Sequence, residues 1–158
     1  PEFERMVRMG EMLEYTYVNG NAYGTTKKSV EEARARGKNV ILDVDTIGAM
    51  KIRALCPDAT LVYILPPSWD ELKSRLSSTG IYNKEEVNAL MEIAEEEISC
   101  ANSYDYILVN DTISNTLSRF AQIIHSNRYS RNCMKEFLDS YIDGEVKPHV
   151  QSYKEALL

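Results

Sequence analysis

Three short apolar runs punctuate the chain without alternating with polar residues: NVILDVD (Asn39 to Asp45), TLVYILP (Thr60 to Pro66) and YDYILVND (Tyr104 to Asp111). Runs of this length, rich in β-branched and aromatic residues, read as strands of a parallel sheet covered on both faces. An earlier stretch does alternate, with Leu13, Tyr15 and Tyr17 set against Glu14, Thr16 and Val18. It predicts a strand, followed by a turn at Gly20-Asn21, since both residues tolerate positive φ. Tyr23, Gly24 and Thr25 come next, before a helical pattern begins. Glu14, Tyr23 and Thr25 thus form a small polar cluster on a bent strand, which is either a surface hairpin or the wall of a polar ligand site.

Elsewhere the apolar period is that of a helix. TTKKSVEEARARG stops at Gly37, a residue suited to a helix end. PPSWDELKSRLSSTG opens on proline and serine, with Glu71 three residues after Ser68 in capping-box spacing. NKEEVNALMEIAEEEISCANS places Val87, Leu90, Met91, Ala94, Ile98 and Ala101 on one stripe. DTISNTLSRFAQIIHSN does the same with Ile113, Leu117, Phe120, Ala121 and Ile124. Strands alternating with helices predict an α/β domain with a mostly parallel sheet and right-handed crossovers. Two helices, rather than one, lie between Pro66 and Tyr104, so a helical hairpin is expected to project there as a movable lid. Beyond residue 127 the pattern changes. SRNCMKEFLDSYIDG carries Cys133, Met134, Phe137, Leu138 and Tyr141 at helical spacing, GEVKPHV breaks it, and SYKEALL ends the chain. This predicts an appended helix and tail, docked on its own domain or forming a homodimer or protein contact.

Composition narrows the classes. The 158 residues suit one domain with a real core, and 44% hydrophobic with 27% charged residues is ordinary for a soluble globular protein. No apolar run approaches the ~20 residues needed to span a bilayer, and no secretory signal pattern is present, so no membrane association is expected. The formal charge of -6 speaks against a nucleic-acid partner, because such proteins concentrate Lys and Arg. Cys56, Cys100 and Cys133 are odd in number and widely spaced, and His125 and His149 lie far apart. No metal set follows from that spacing, and reduced thiols in a cytoplasmic protein are the plain expectation.

Open α/β sheets bind ligands beyond the carboxyl ends of their strands. Asp43 and Asp45 lie there, two apart and so on one side, as do Asn110 and Asp111. Such carboxylates can accept N–H groups of a base or position Mg²⁺ through water. Equally, Asp45 and Asp111 can simply cap the helices that follow.

Five blocks in consistent order carry a resemblance over Phe3 to Ile124: FERMVRMGEMLEY, GNAYGT, VILDVDTIG, ILPPSWDELKSRL and YDYILVND. Together they resemble the guanylate kinase family. The resemblance implies a nucleoside-monophosphate-kinase core of α/β type with a GMP-binding insertion and a helical lid. It implies a guanylate-kinase-like domain over residues 1–127, with the GMP-binding part at 1–37, core at 38–66 and 104–127, and lid at 67–103. It also implies phosphoryl transfer from ATP, with Mg²⁺, to GMP. By residue, Glu14 would accept from guanine N1 and N2, Thr25 would reach the base, and Tyr23 would donate to the GMP phosphate. Asp43 and Asp45 would help hold guanine, Asn110 would meet the ATP base, and Arg75 would act from the lid. Taken by itself, Arg75 is equally a solvated arginine on an amphipathic helix.

The chain also departs from that family. It contains no G-x-x-x-x-G-K-[ST] loop to cradle ATP phosphates. In the family that loop lies upstream of the position of Pro1, so the chain is expected to be an excerpt or to have lost its first strand and P-loop. Two lid positions that carry Arg in the family pattern are Thr79 and Leu90, and the Gln of D-x-D-x-Q-G is Ile47. A cationic donor at a transferring phosphoryl group is commonly worth about 3 kcal/mol. Guanine recognition is therefore expected to be retained and catalysis by this chain alone to be lost. The competing expectation is a silent module that binds a protein or nucleotide.

Overall fold

The computed structural model describes residues 2–18 and 20–143. Its backbone is mixed α/β, in two compact units, one through Ile107 and one from Leu108 onward. The segments GEVKPHV and SYKEALL, and His149, lie outside the described residues. No described helix is long and apolar enough to cross a membrane.

The first unit opens with α1 (Glu2–Arg8), which the apolar pattern left unassigned although acidic residues start it and basic ones end it. The guanidinium of Arg5 bridges Glu2 and Glu11, and it holds both carboxyls below their usual range. Strands β1 (Met12–Val18) and β2 (Asn21–Thr26) then form an antiparallel hairpin. Gly20, at φ +78°, supplies the left-handed turn residue, while Asn21 already opens β2 rather than sharing the turn. The ladder is irregular between Met12 and Glu14, which is the bend expected of this strand.

Helix α2 (Lys27–Ala35) starts on Thr26, whose side chain accepts from the Ser29 N–H. It ends as the sequence predicts. Gly37 N–H reaches the Arg34 carbonyl and Lys38 N–H the Ala33 carbonyl, the double bond of a Schellman end.

The predicted strand at residues 39–45 is not one. The segment runs without helix or ladder into α3 (Thr46–Leu55), with Val40, Leu42 and Val44 half-buried and Ile41, Asp43 and Asp45 exposed. A strand exists only through a neighbour, and no described segment pairs with this one. The other two runs do form strands, shorter than predicted: β3 (Val62–Leu65) and β4 (Tyr106–Val109), paired in a parallel sheet with the unit boundary inside β4.

Asp105 fastens this sheet. Its carboxylate accepts from the Leu61 N–H at 2.7 Å and from Arg53 at 2.6 Å, and Arg53 also donates to the Pro57 and Ala59 carbonyls. Asp105→Ala would strip an acceptor from a backbone N–H and from an arginine, in a partly exposed setting. A loss of about 1–2 kcal/mol is expected, measured as a lower urea midpoint with unchanged slope. An unchanged midpoint would show the fork to be ornamental.

Between β3 and β4 lie α4 (Trp69–Ser78) and α5 (Lys84–Glu97), packed on each other as the predicted helical hairpin. Ser68 caps α4 by accepting from the Glu71 N–H, while the Glu71 carboxylate accepts from Arg75. The full reciprocal box occurs instead at α5, between Asn83 and Glu86. At Ile98 the α-helix tightens into a 3-10 helix (Ile98–Ser103). Val87 and Ala101 are buried as the stripe predicts, and Ile98, at the change of winding, is 37% exposed. The unit's other buried apolar side chains are Met12, Leu13, Ala49, Ile52 and Leu61, and α3 packs on β1.

In the second unit, Thr112 rather than Asp111 caps α6 (Ile113–Asn127). Asp111 accepts from Thr112 N–H, Asn115 and Arg119, and the backbone bond is the main reason its carboxyl is held below the usual range. The stripe predicted on α6 is only partly covered. Ile113 is 78% and Leu117 61% exposed, and Ala121 is exposed too, whereas Phe120 and Ile124 are half-buried. The appended helix forms as α7 (Lys135–Ile142), with Phe137 stacked edge-on against Tyr141. Phe137, Leu138 and Tyr141 remain largely exposed.

Candidate functional site

The hairpin brings three of the sequence-chosen residues onto one face. In its register Glu14 is opposite Thr25 and Thr16 opposite Tyr23, and side chains two apart in a strand share a face. Glu14 is 9% exposed, which is unusual for a carboxylate. The Thr25 hydroxyl donates to its Oε1 at 2.8 Å. Its Oε2 accepts no hydrogen bond among the described residues, yet no buried side-chain oxygen there lacks a partner. Oε2 therefore keeps at least a trace of solvent contact, and only Oε1 is fixed by a hydrogen bond among the described residues.

Gly24 makes this geometry possible. A Cβ there would lie 2.6 Å from the Glu14 carbonyl oxygen and the Met12 methyl, and 2.8 Å from the Tyr15 Cβ. The hairpin closes against β1 only because that atom is missing. Tyr23, beside it, is 56% exposed and free to reach a ligand. The opposite face is apolar and aromatic. Phe3 of α1 meets Tyr15 and Tyr17 edge-on, Tyr17 donates to Glu4, and the Lys51 ammonium lies 5.4 Å from the Tyr15 ring centre.

Asp43 and Asp45 both lie on the exposed side of the extended segment before α3. Asp45 is also the helix cap, accepting from the Gly48 N–H at 2.6 Å through Oδ1. The two sequence readings of Asp45 are thus compatible, since its second oxygen is not used by the cap. Arg75, on α4, donates to Glu71 one turn earlier at 2.8 Å. Asn110, in the second unit, accepts from the Thr116 hydroxyl at 3.0 Å.

One polar group had escaped the sequence. Thr46, the first residue of α3, donates to Glu97, the last residue of α5, at 3.4 Å. Beside them Tyr63 and Tyr104 stack edge-on with ring centres 4.9 Å apart. Burial, then the nearby Glu97 charge, pushes the Tyr63 phenol up. Burial does the same for Tyr104, assisted by Tyr63, Cys100, Glu97 and Asp45. Glu97 closes a run of three glutamates that reads as a solvated helix face, so pattern alone could not have chosen it. Among the described residues no group of three or more His, Cys, Asp or Glu side chains is arranged to hold a metal ion.

Comparison with known proteins gives a consistent result. The family model described as guanylate kinase matches residues 1–127. The guanylate kinase of Francisella tularensis subsp. tularensis is 42% identical over 127 residues, covering 80% of this chain and 67% of that protein. The guanylate kinase of Clostridium acetobutylicum is 37% identical over 153 residues, covering 96% of this chain and 72% of that protein. The crystal structure of guanylate kinase from Anaplasma phagocytophilum superposes with a TM-score of 0.65 at 31% identity, covering 82% of this chain and 62% of that one. The chain also spans 62% of the guanylate kinase of Polaromonas sp..

Proposed function

The chain belongs to the guanylate kinase family, and from that premise we propose that it carries the guanine-recognising part of a protein that transfers phosphate from MgATP to GMP. The observation that carries this reading is the half-committed carboxylate of Glu14. With Oε1 held by Thr25, the group is oriented before a ligand arrives, and Oε2 accepts no hydrogen bond among the described residues. Guanine presents N1–H and an exocyclic amine side by side, both donors. Adenine presents an acceptor at N1, which would face the carboxylate lone pairs. A buried carboxylate left facing an acceptor loses its hydration without compensation, so the site discriminates by penalty as well as by attraction.

The remaining residues fit supporting roles. The Tyr23 phenol, on the same face and exposed, can donate to the GMP phosphate. Asp45 can accept from the base edge with the oxygen its helix cap leaves unused, and Asp43 lies on the same exposed side. Arg75, which lies partly exposed on α4 beside Glu71, could turn toward a phosphate. Asn110 would serve the ATP base. Mg²⁺ would arrive with ATP as part of the substrate, neutralising phosphate charge during transfer. The glycine-rich loop that would cradle those phosphates is not in these 158 residues, so the decisive assay reads binding rather than turnover. Titration calorimetry is expected to show GMP bound at least tenfold more tightly than AMP, a difference of about 1.4 kcal/mol. Equal affinities would leave the family membership intact but remove guanine recognition.

A further inference from the structure

We infer that Glu97 is a positioning residue, latching the α4–α5 helical hairpin to the end of α3 that carries Asp45. Three independent features meet at this point. The first is the hydrogen bond from the Thr46 hydroxyl to Glu97 Oε1, which joins residues 51 apart in sequence in a half-buried setting. The second is location. Glu97 is the last α-helical residue of α5 before the winding changes to 3-10 at Ile98, so a contact there holds the C-terminal end of the hairpin. The third is the neighbour. Thr46 directly follows Asp45, whose carboxylate caps the same helix at Gly48. Fixing the Thr46 side chain therefore restrains the backbone from which Asp45 projects.

Moving α4–α5 as a body would pull Glu97 from Thr46, and a ligand held by Asp45 would register that movement. The ligand side of this inference rests on the guanine-binding reading above, whereas the latch itself does not.

The test uses the full chain with Glu97→Ala, Glu97→Gln, Thr46→Val and the Glu97→Ala/Thr46→Val double variant. Amide hydrogen exchange without ligand reports the latch, and calorimetry with GMP reports positioning. Glu97→Ala and Thr46→Val should each speed exchange across residues 69–97 about threefold, the lower part of the range for a hydrogen bond, because the 3.4 Å contact is long, while β3 keeps its protection. Each should weaken GMP binding by a similar factor. Glu97→Gln keeps the acceptor oxygen and should stay within about twofold of the parent chain, and the double variant should be no worse than either single one. Exchange that rises uniformly through β3 would show mere destabilisation and overturn the latch, as would a silent Thr46→Val. Faster exchange with unchanged GMP affinity would overturn the positioning role. If the parent chain fails to bind GMP, the nucleotide reading falls with the positioning role, and the ligand-free exchange still decides the latch.

Discussion

Glu14→Ala should weaken GMP binding about 100-fold and erase the preference over AMP. Hydrogen bonds to a charged partner are worth about 1.5–3 kcal/mol each, and guanine can give this carboxylate two. Losing both would cost at least the ~2.7 kcal/mol that a 100-fold change requires. AMP gains nothing from an intact Glu14, so its affinity should stay level or rise slightly as an unmatched carboxylate is removed. Thr25→Val deletes only the hydroxyl that holds Oε1, and it should fall between the parent and Glu14→Ala. Calorimetry with both nucleotides measures all of this, with a thermal melt run beside it to separate binding from folding. A Glu14→Ala chain that still prefers GMP by its original margin would mean that guanine is read elsewhere.

The second large effect concerns stability. Gly24→Ala should cost about 2–3 kcal/mol, at the upper part of the usual range for overpacking, and lower the melting temperature by roughly 4–12 °C. The new methyl would meet the Glu14 carbonyl oxygen at 2.6 Å. The Met12 methyl, equally close, ends a flexible side chain and can swing aside, but the carbonyl belongs to the β1 backbone opposite it. Gly20→Ala is the matched control. Gly20 has open space around it and only its φ of +78° to offend, so about 1 kcal/mol is expected. A Gly24→Ala chain as stable as Gly20→Ala would mean that the hairpin can open to admit the methyl without loss.

What the sequence disclosed follows a physical division. The end of α2 at Gly37, the cap at Ser68 and the strand–turn–strand around Gly20 were legible because each is settled within a few residues. The cluster of Glu14, Tyr23 and Thr25 was legible for the same reason, since a tight hairpin fixes its own register. Residues 39–45 have the composition of a buried strand, but composition cannot supply the neighbouring strand that would make them one. The stripe on α6 is a real periodicity in Ile113 and Leu117, and periodicity says which face is apolar without saying what covers it. Ile98 is the one misplaced residue of its stripe, 37% exposed where the helix passes from α to 3-10, while Ala101 beyond it is buried as the period predicts. Thr46 and Glu97 were out of reach altogether. Two polar residues 51 positions apart leave no local trace of their meeting.

The Asp105 fork has a kinetic side. The β1–β2 hairpin needs only a short turn, and hairpins of that kind close within microseconds. Asp105 meets the Leu61 N–H across 44 positions, with the whole α4–α5 pair in the intervening loop. Closing so long a loop costs chain entropy before any contact returns it, so contacts of this range form late. The β1–β2 hairpin should therefore be in place before the sheet that follows it in the chain. On that ordering, the stability lost in Asp105→Ala appears as faster unfolding, with the folding rate nearly unchanged. A variant that instead folds slowly would place the fork inside the folding nucleus.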